Sequence, residues 1–205
     1  MSEPGILFIV SAPSGAGKTS LLRELVPADP RLVMSVSHAT RARRPGEEDG
    51  VHYHFVSFER FEQLVEEGAF LEHARVFDNY YGTAESAVRE QLAAGRDVVL
   101  EIDWQGARQV RRRFAEAVSI FITPPSIEAL RERLSARGQD SAQIVERRMA
   151  DARSELSHYQ EYDYLVVNDD FGTALADLRA IVIAERLREP RQAARNAAAL
   201  AAMLG

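Results

Sequence analysis

Gly5-Ile6-Leu7-Phe8-Ile9-Val10-Ser11-Ala12-Pro13-Ser14-Gly15-Ala16-Gly17-Lys18-Thr19-Ser20 decides the fold. Gly5 to Ser11 is a continuous, β-branched apolar run, the pattern of a strand buried on both faces in a parallel sheet. A glycine-rich turn follows directly, and Lys18 to Val26 then carries Leu21, Leu22 and Leu25 at helical spacing before Pro27 stops it. Ala12 to Thr19 matches G-x-x-x-x-G-K-[ST] except that Ala12 stands in place of the first glycine. The chemistry explains the residue types. Glycines permit turns that aim several N–H groups inward, the helix N-terminus adds partial positive charge, and Lys18 reaches the β- and γ-phosphates. The Thr19 hydroxyl can be offered to Mg²⁺. With a strand before it and a helix after it, the segment reads as a nucleotide-phosphate loop.

Working outward, buried-strand candidates recur at Asp97 to Ile102, Val118 to Thr123 and Tyr164 to Asn168, with helical segments between them. Strand and helix in alternation predict an α/β fold: a parallel sheet flanked by helices, of the P-loop NTPase type. Two stretches break the alternation. From about Ser35 to Asn79 an alternating run (Val51 to Val56) precedes Phe58, Phe61, Leu64 and Val65 at helical spacing ending at Gly68, a small mixed insert. After Pro124-Pro125, Ser126 reads as a helix cap, Ile127, Leu130 and Leu134 as an apolar stripe, and Gly138 as a stop. A second helix starts near Ser141 and runs towards Leu156. This arginine-rich hairpin is placed to act as a helical lid. Arg191 to Gly205 is alanine-rich and reads as helix. The expected division is a core of residues 1–35, 89–124 and 158–205, an insert of 36–88 and a lid of 125–157.

The chain has 205 residues, enough for one domain with inserts, and its hydrophobic share of 46% and charged share of 27% are those of an ordinary globular chain. No apolar run approaches the length of a membrane helix, and no basic segment precedes Ile6 to Val10 as in a signal peptide. Zero cysteines exclude disulfides and thiolate metal sites, so a cytoplasmic location is expected. A formal net charge of −6 argues against nucleic-acid binding and leaves anionic ligands only where cations converge locally. Lys18 is the only lysine in a chain that otherwise uses arginine, which points to a slot needing a compact ammonium.

Thr40-Arg41-Ala42-Arg43-Arg44-Pro45-Gly46-Glu47-Glu48-Asp49-Gly50-Val51-His52-Tyr53-His54-Phe55 resembles the signature of guanylate kinases throughout its length. Ser35-Val36-Ser37, Phe70-Leu71-Glu72-His73-Ala74, Asn79-Tyr80-Tyr81-Gly82-Thr83, Glu101-Ile102-Asp103-Trp104-Gln105-Gly106 and the Arg137 to Arg148 hairpin are similar to the same family, in the same order. The resemblance is closest to the bacterial enzymes. It implies transfer of a phosphoryl group from ATP to GMP, with dGMP a second acceptor, and Mg²⁺ as cofactor. Ser11, Ala12, Pro13, Ser14, Gly15, Ala16, Gly17, Lys18, Thr19 and Ser20 would hold ATP, with adenine contacts near Asn168 and Asp169. Lys18, Arg44, Arg137 and Arg148 would serve the transferring group.

The acceptor residues also make chemical sense. Guanine presents N1–H and N2–H₂ as adjacent donors, which an acceptor-only carboxylate can take; Glu72 and Asp103 occupy the matching positions. Guanine O6 wants donors, available from the hydroxyls of Ser37 and Thr83, and adenine would leave this set unpaired. Arg41 and Arg44 can grip the GMP phosphate, with the Tyr53 and Tyr81 hydroxyls completing the clamp. Glu101 and Asp103, two apart on the expected strand, would share one face, one acid serving Mg²⁺ through water and the other the base. Three features are expected to be structural: His52 and His54 on one strand face, as solvated or partner-facing groups and not a metal site; Arg111-Arg112-Arg113, as an exposed helix face; and Phe58 with Phe61, as core. A phosphate acceptor near neutral pH is already ionised and needs no protein nucleophile or general base. Partners are therefore the two small nucleotides, with no nucleic acid and no membrane; a homo-oligomer is compatible with the sequence. Two other readings remain, a catalytically silent phosphopeptide-binding module of the scaffold type and a P-loop kinase with a different acceptor.

Overall fold

Leu7–Ser11 is buried at every position and forms β1 of the computed structural model, which describes residues 3–76, 78–135 and 142–205. Successive strand side chains point to opposite faces, and both faces here are covered, which is why the run is continuously apolar. Ile6, Phe8 and Val10 enter one core cluster while Leu7 and Ile9 enter another on the reverse side of the sheet. After the loop comes α1 (Lys18–Leu25), which buries Leu21, Leu22 and Leu25, and then the short strand β2 (Leu32–Met34).

The next stretch leaves the main sheet. Strands β3 (His38–Ala39) and β4 (His54–Phe55) are followed by α2 (Phe58–Glu66), whose first turn is capped by the Ser57 hydroxyl accepting from the Arg60 N–H. Strands β5 (Phe70–Val76) and β6 (Asn79–Ala84) complete a second sheet of order β4-β3-β6-β5. It is mixed: β3 and β4 are parallel, and the β3–β6 and β5–β6 pairs are antiparallel. Phe61 stacks on Phe70 at 4.6 Å between centroids and on Tyr80 at 5.5 Å to make its small core. Phe58 departs from the expectation: its side chain is 43% exposed and touches Tyr80 only edge-on, because α2 turns one face to this thin sheet and the other to water. His52 also departs from it. The extended segment is limited to His54–Phe55, and His52 sits in the preceding turn, where its Nδ1 accepts from the Glu48 N–H.

The chain returns through α3 (Glu85–Ala93), which straddles residue 88 and packs Val88 and Leu92 against the main sheet. Strand β7 (Asp97–Glu101), helix α4 (Trp104–Arg113) and strand β8 (Val118–Thr123) follow. Then come α5 (Ile127–Ser135), α6 (Ala142–Leu156), strand β9 (Tyr164–Val167), α7 (Phe171–Arg186), α8 (Glu189–Arg195) and α9 (Ala197–Leu204). The main sheet has order β2-β7-β1-β8-β9 and every pairing in it is parallel. Helices α1 and α7 supply one face of the core; α3 and α4 supply the other. Helices α5 and α6 carry a separate cluster of Leu130, Leu134, Met149 and Ala152. Gly138, the expected helix stop, and Ser141, the expected helix start, lie outside the described residues.

Arg111, Arg112 and Arg113 are less idle than an exposed helix face. Arg111 lies over the Tyr162 ring and pairs with Glu161, and Arg113 donates to Glu85 and to the Phe70 carbonyl, while Arg112 is exposed. Successive residues on a helix point about 100° apart, so each arginine meets a different neighbour. Among the described residues no helix is long and apolar enough to cross a membrane.

Candidate active site

Ligands gather at the carboxyl edge of a doubly wound sheet, and β1 and β7 end there side by side. Past Ser11 the chain needs left-handed turns at two positions, Gly15 with φ 92° and Gly17 with φ 91°, and both are glycines. A side chain at Gly17 would also collide with the amide of Asn168. Asn168 is buried and its Nδ2 donates to the Ala16 carbonyl at 2.7 Å, so its side chain fastens the loop, while Asp169 is exposed beside it. Ser11 is buried at the strand end, Ala12 packs on the core beside it, Pro13 and Ala16 are buried, and Ser14 and Ser20 are exposed.

Lys18 opens α1 and its ammonium makes a long 3.4 Å contact with the Ile102 carbonyl, just past β7. One residue on, the Thr19 hydroxyl donates to Glu101 Oε1 at 2.5 Å. Glu101 thus lies with the phosphate loop. Asp103 does not share its strand: β7 ends at Glu101, and Asp103 caps α4, its Oδ1 accepting from the Gly106 N–H at 2.8 Å. The expectation that the two acids share one strand face is corrected on this point. The capping oxygen satisfies an otherwise orphaned helix amide, which turns the backbone out of the strand.

Two groups from α6 reach the same loop. Arg148 Nη2 donates to the Ser14 hydroxyl at 2.9 Å, and Glu155 Oε2 accepts from the Ser14 N–H at 3.1 Å. Burial pushes the Glu155 carboxyl up, against the opposing influence of nearby Lys18. An anionic side chain on a loop amide is what the loop's positive potential attracts. Arg137 lies outside the described residues.

Across the site, Glu72 of β5 is 4% exposed. The Thr83 hydroxyl donates to its Oε1 at 2.6 Å, and the Ser37 hydroxyl lies 3.0 Å from that of Thr83. The register explains how. The β5–β6 ladder shifts between Phe70 and Glu72, so Leu71 is a bulge residue that buries itself in the main core while Glu72 stands opposite Thr83. Burial raises the Glu72 carboxyl to about 7, the Thr83 hydrogen bond opposing and the nearby Asp103 charge reinforcing the shift. Ser37, Glu72, Thr83 and Asp103 thus converge, although they come from four separate segments.

Arg41, Tyr53 and Tyr81 meet on the open side of the second sheet. Arg41 lies 4.9 Å over the Tyr53 ring, and Tyr53 meets Tyr81 edge-on at 6.0 Å. The Arg41 guanidinium also grips Glu47 through both oxygens, at 2.7 and 2.6 Å. That pairing holds Glu47 down at about 2 and keeps Arg41 charged. Arg44 is exposed, its backbone N–H donating to Glu47. Glu47, Gln109, whose Oε1 accepts from the His73 N–H beside Glu72 at 3.1 Å, and Glu155 are neighbours of the candidate site that the sequence does not reveal. Glu47 stands inside the quoted signature, but a six-residue loop spacing has no periodicity to reveal the pair; the partners of the other two are 36 and 141 residues away.

Comparison with known proteins identifies the family. The family model described as guanylate kinase matches residues 5–185. A guanylate kinase of Alkalilimnicola ehrlichii is 60% identical over 202 residues, 98% of this chain and 100% of that one. A guanylate kinase of Vibrio parahaemolyticus is 58% identical, with 98% of each chain covered. Among solved structures, guanylate kinase from Anaplasma phagocytophilum superposes with a TM-score of 0.75 at 35% identity, covering 93% of this chain and 91% of that one.

Proposed function

The chain belongs to the guanylate kinase family and transfers a phosphoryl group from ATP to GMP, giving ADP and GDP; we propose that two separate sets of its side chains hold the two nucleotides end to end. The observation that carries the assignment of roles is the buried carboxylate of Glu72, hydrogen-bonded to Thr83 and within electrostatic reach of Asp103, whose charge also reaches Glu155, itself hydrogen-bonded to the phosphate loop. Ionised Glu72 accepts from guanine N1–H and N2–H₂, with Asp103 beside it. The hydroxyls of Ser37 and Thr83, whose hydrogens run Ser37 to Thr83 to Glu72 in the free chain, rotate to donate to O6 as guanine takes over the Glu72 oxygens. Adenine, with donor and acceptor exchanged on that edge, leaves the set unpaired, which discriminates far more strongly than shape. Arg41, Arg44, Tyr53 and Tyr81 receive the GMP phosphate; Glu47 keeps Arg41 aimed. The same reading extends to dGMP, because none of these groups needs the ribose 2′-hydroxyl.

On the donor side, the loop amides of residues 13–18 and the Lys18 ammonium hold the β- and γ-phosphates. Thr19 and Glu101 form a hard-oxygen pair of the kind Mg²⁺ prefers, and Mg²⁺ held there would neutralise charge on the donor phosphates. An acceptor oxygen of GMP attacks the γ-phosphorus as the bond to the bridging oxygen of ADP breaks, in line. That oxygen is already ionised, so no side chain need remove a proton. The protein's contribution is alignment and fixed positive charge from Lys18, Arg44, Arg148 and Arg137. Residues 36–88 act as the GMP-binding insert and 125–157 as the lid, whose closure over the core of 1–35, 89–124 and 158–205 excludes water. The cysteine-free composition and the nucleotide substrates support a cytoplasmic setting.

An ADP-release assay with GMP, dGMP, AMP, CMP and UMP, each with and without Mg²⁺, tests the assignment. Turnover confined to the guanine nucleotides and dependent on Mg²⁺ is expected. Comparable turnover with AMP would overturn the roles given to Glu72, Ser37 and Thr83.

A further inference from the structure

We infer that Gly106 and Gln109 of α4 are positioning residues that aim Glu72 at the base, so that guanine selectivity is set in part by helix residues packed behind Glu72. The inference rests on the reading of Glu72 as the guanine acceptor.

Strand β5 is the outer strand of the second sheet, so the backbone groups on its far side have no neighbouring strand. At His73, the residue after Glu72, those groups are taken by one side chain. Gln109 Oε1 accepts from the His73 N–H at 3.1 Å, and Gln109 Nε2 donates to the His73 carbonyl at 2.8 Å. The amide thus copies the donor–acceptor pattern of a missing strand at a single position. One helical turn further, Arg113 donates to the Phe70 carbonyl at 3.0 Å. Helix α4 therefore holds β5 on both sides of Glu72, across the bulge at Leu71.

Gly106 completes the seat. Residues 106, 109 and 113 share one face of α4, since spacings of three and four are neighbours on a helix. A Cβ at position 106 would lie 2.7 Å from Glu72 Oε2 and 3.3 Å from its carboxyl carbon. Only a hydrogen there lets the carboxylate lie against the helix, with Oε1 on Thr83 and Oε2 along α4. The Gly106 N–H is itself held by Asp103 Oδ1, so the second acid at the base site is fixed by the same residue. Helix α4 packs into the core of the main sheet, whereas β5 belongs to the second sheet. The orientation of Glu72 is thus defined by a contact between the two sheets.

The test compares Gly106→Ala, Gln109→Leu and Glu72→Gln in the full chain, using GMP and inosine monophosphate as acceptors. Inosine monophosphate lacks the 2-amino group, so the GMP/IMP ratio of kcat/KM reports the Glu72 contact and not general folding. Alanine forms helix better than glycine, so Gly106→Ala does not weaken α4 itself. Loss of one charge-assisted hydrogen bond predicts a fall of about tenfold or more in that ratio for Gly106→Ala, with the KM for ATP unchanged. Gln109→Leu should lower the ratio in the same direction by a smaller factor, and it carries the test if Gly106→Ala does not fold. If Glu72→Gln lowers the ratio while both α4 variants keep it, the positioning role is overturned and the reading of Glu72 stands. If Glu72→Gln leaves the ratio intact, the reading of Glu72 itself falls.

Discussion

Changing Glu72 to Gln replaces one carboxylate oxygen by an NH₂ group of nearly equal size, at a side chain that is 4% exposed. The amide oxygen can still accept one guanine donor, but the NH₂ then confronts the other. One charge-assisted hydrogen bond is lost and one donor is left unpaired, together roughly 3–4 kcal/mol, or about 10²–10³-fold in kcat/KM for GMP. The KM for ATP should not change. Acidity supplies a second signature. Because burial raises the Glu72 carboxyl to about 7, about a tenth of it is ionised at pH 6 and about nine-tenths at pH 8. The kcat/KM for GMP should therefore rise about tenfold across that interval, beyond any rise from ionisation of the GMP phosphate, which Glu72→Gln reports alone.

Stability should move the other way. The folded-state value lies above the unfolded value of 4.5, so between these two the native chain binds more protons than the unfolded one, and stability falls as pH rises. Above pH 7 the loss is complete and amounts to about 3 kcal/mol. Glu72→Gln stays neutral throughout, so urea unfolding should find it more stable than the wild type at pH 8 and equal to it near pH 4. Steady-state kinetics and unfolding from pH 4 to 8 measure both effects. An unchanged GMP dependence, or a variant less stable than the wild type at pH 8, would refute the reasoning.

Lys18→Ala removes the only ammonium at the loop and should lower kcat by about 10²–10³ while the KM for GMP holds; equal turnover would contradict its role. Glu155→Gln removes an anion from the Ser14 amide, a group the donor phosphates also seek, so the KM for ATP should fall about three- to tenfold; a rise would show that Glu155 assists ATP instead. Arg186 bridges Asp29 and Asp97, at 2.5 and 2.6 Å, and Asp97 also accepts from the Ile6 N–H at 2.7 Å. Arg186→Met would leave both acids without their cation and should cost about 3–5 kcal/mol in urea unfolding; a loss under about 1 kcal/mol would show the pair to be dispensable.

Much of the site is legible in the chain because its chemistry is local. The phosphate loop needs one strand end, two glycines at positive φ, one lysine and one helix start, all within fourteen residues of sequence from Gly5, and each follows from backbone sterics or charge. The expected strands and helices around it rest on continuous apolar runs where a strand is covered on both faces and on apolar residues every three or four positions where a helix buries one face, patterns that the sequence reports directly. Phe58 is exposed and not core because a thin two-layer insert has room for one aromatic face of α2, and composition does not tell which. Asp103 leaves the strand face expected for it because the same residue can extend a strand or cap a helix, and the choice depends on where α4 docks.

The sequence by itself therefore determined the parallel α/β sheet and the phosphate loop, and supplied the residue types proposed to read guanine. These depend on short-range sterics, periodicity and hydrogen-bond complementarity, all encoded within a few neighbouring positions. Tertiary structure alone decided which groups meet: Glu72 on Thr83 by a bulged ladder, Glu101 on Thr19, Glu47 on Arg41, Glu155 on the Ser14 amide, and α4 as the seat beneath β5. A carboxylate's partner and its acidity are set by what packs within a few ångströms, and that neighbourhood is assembled from segments far apart in the chain.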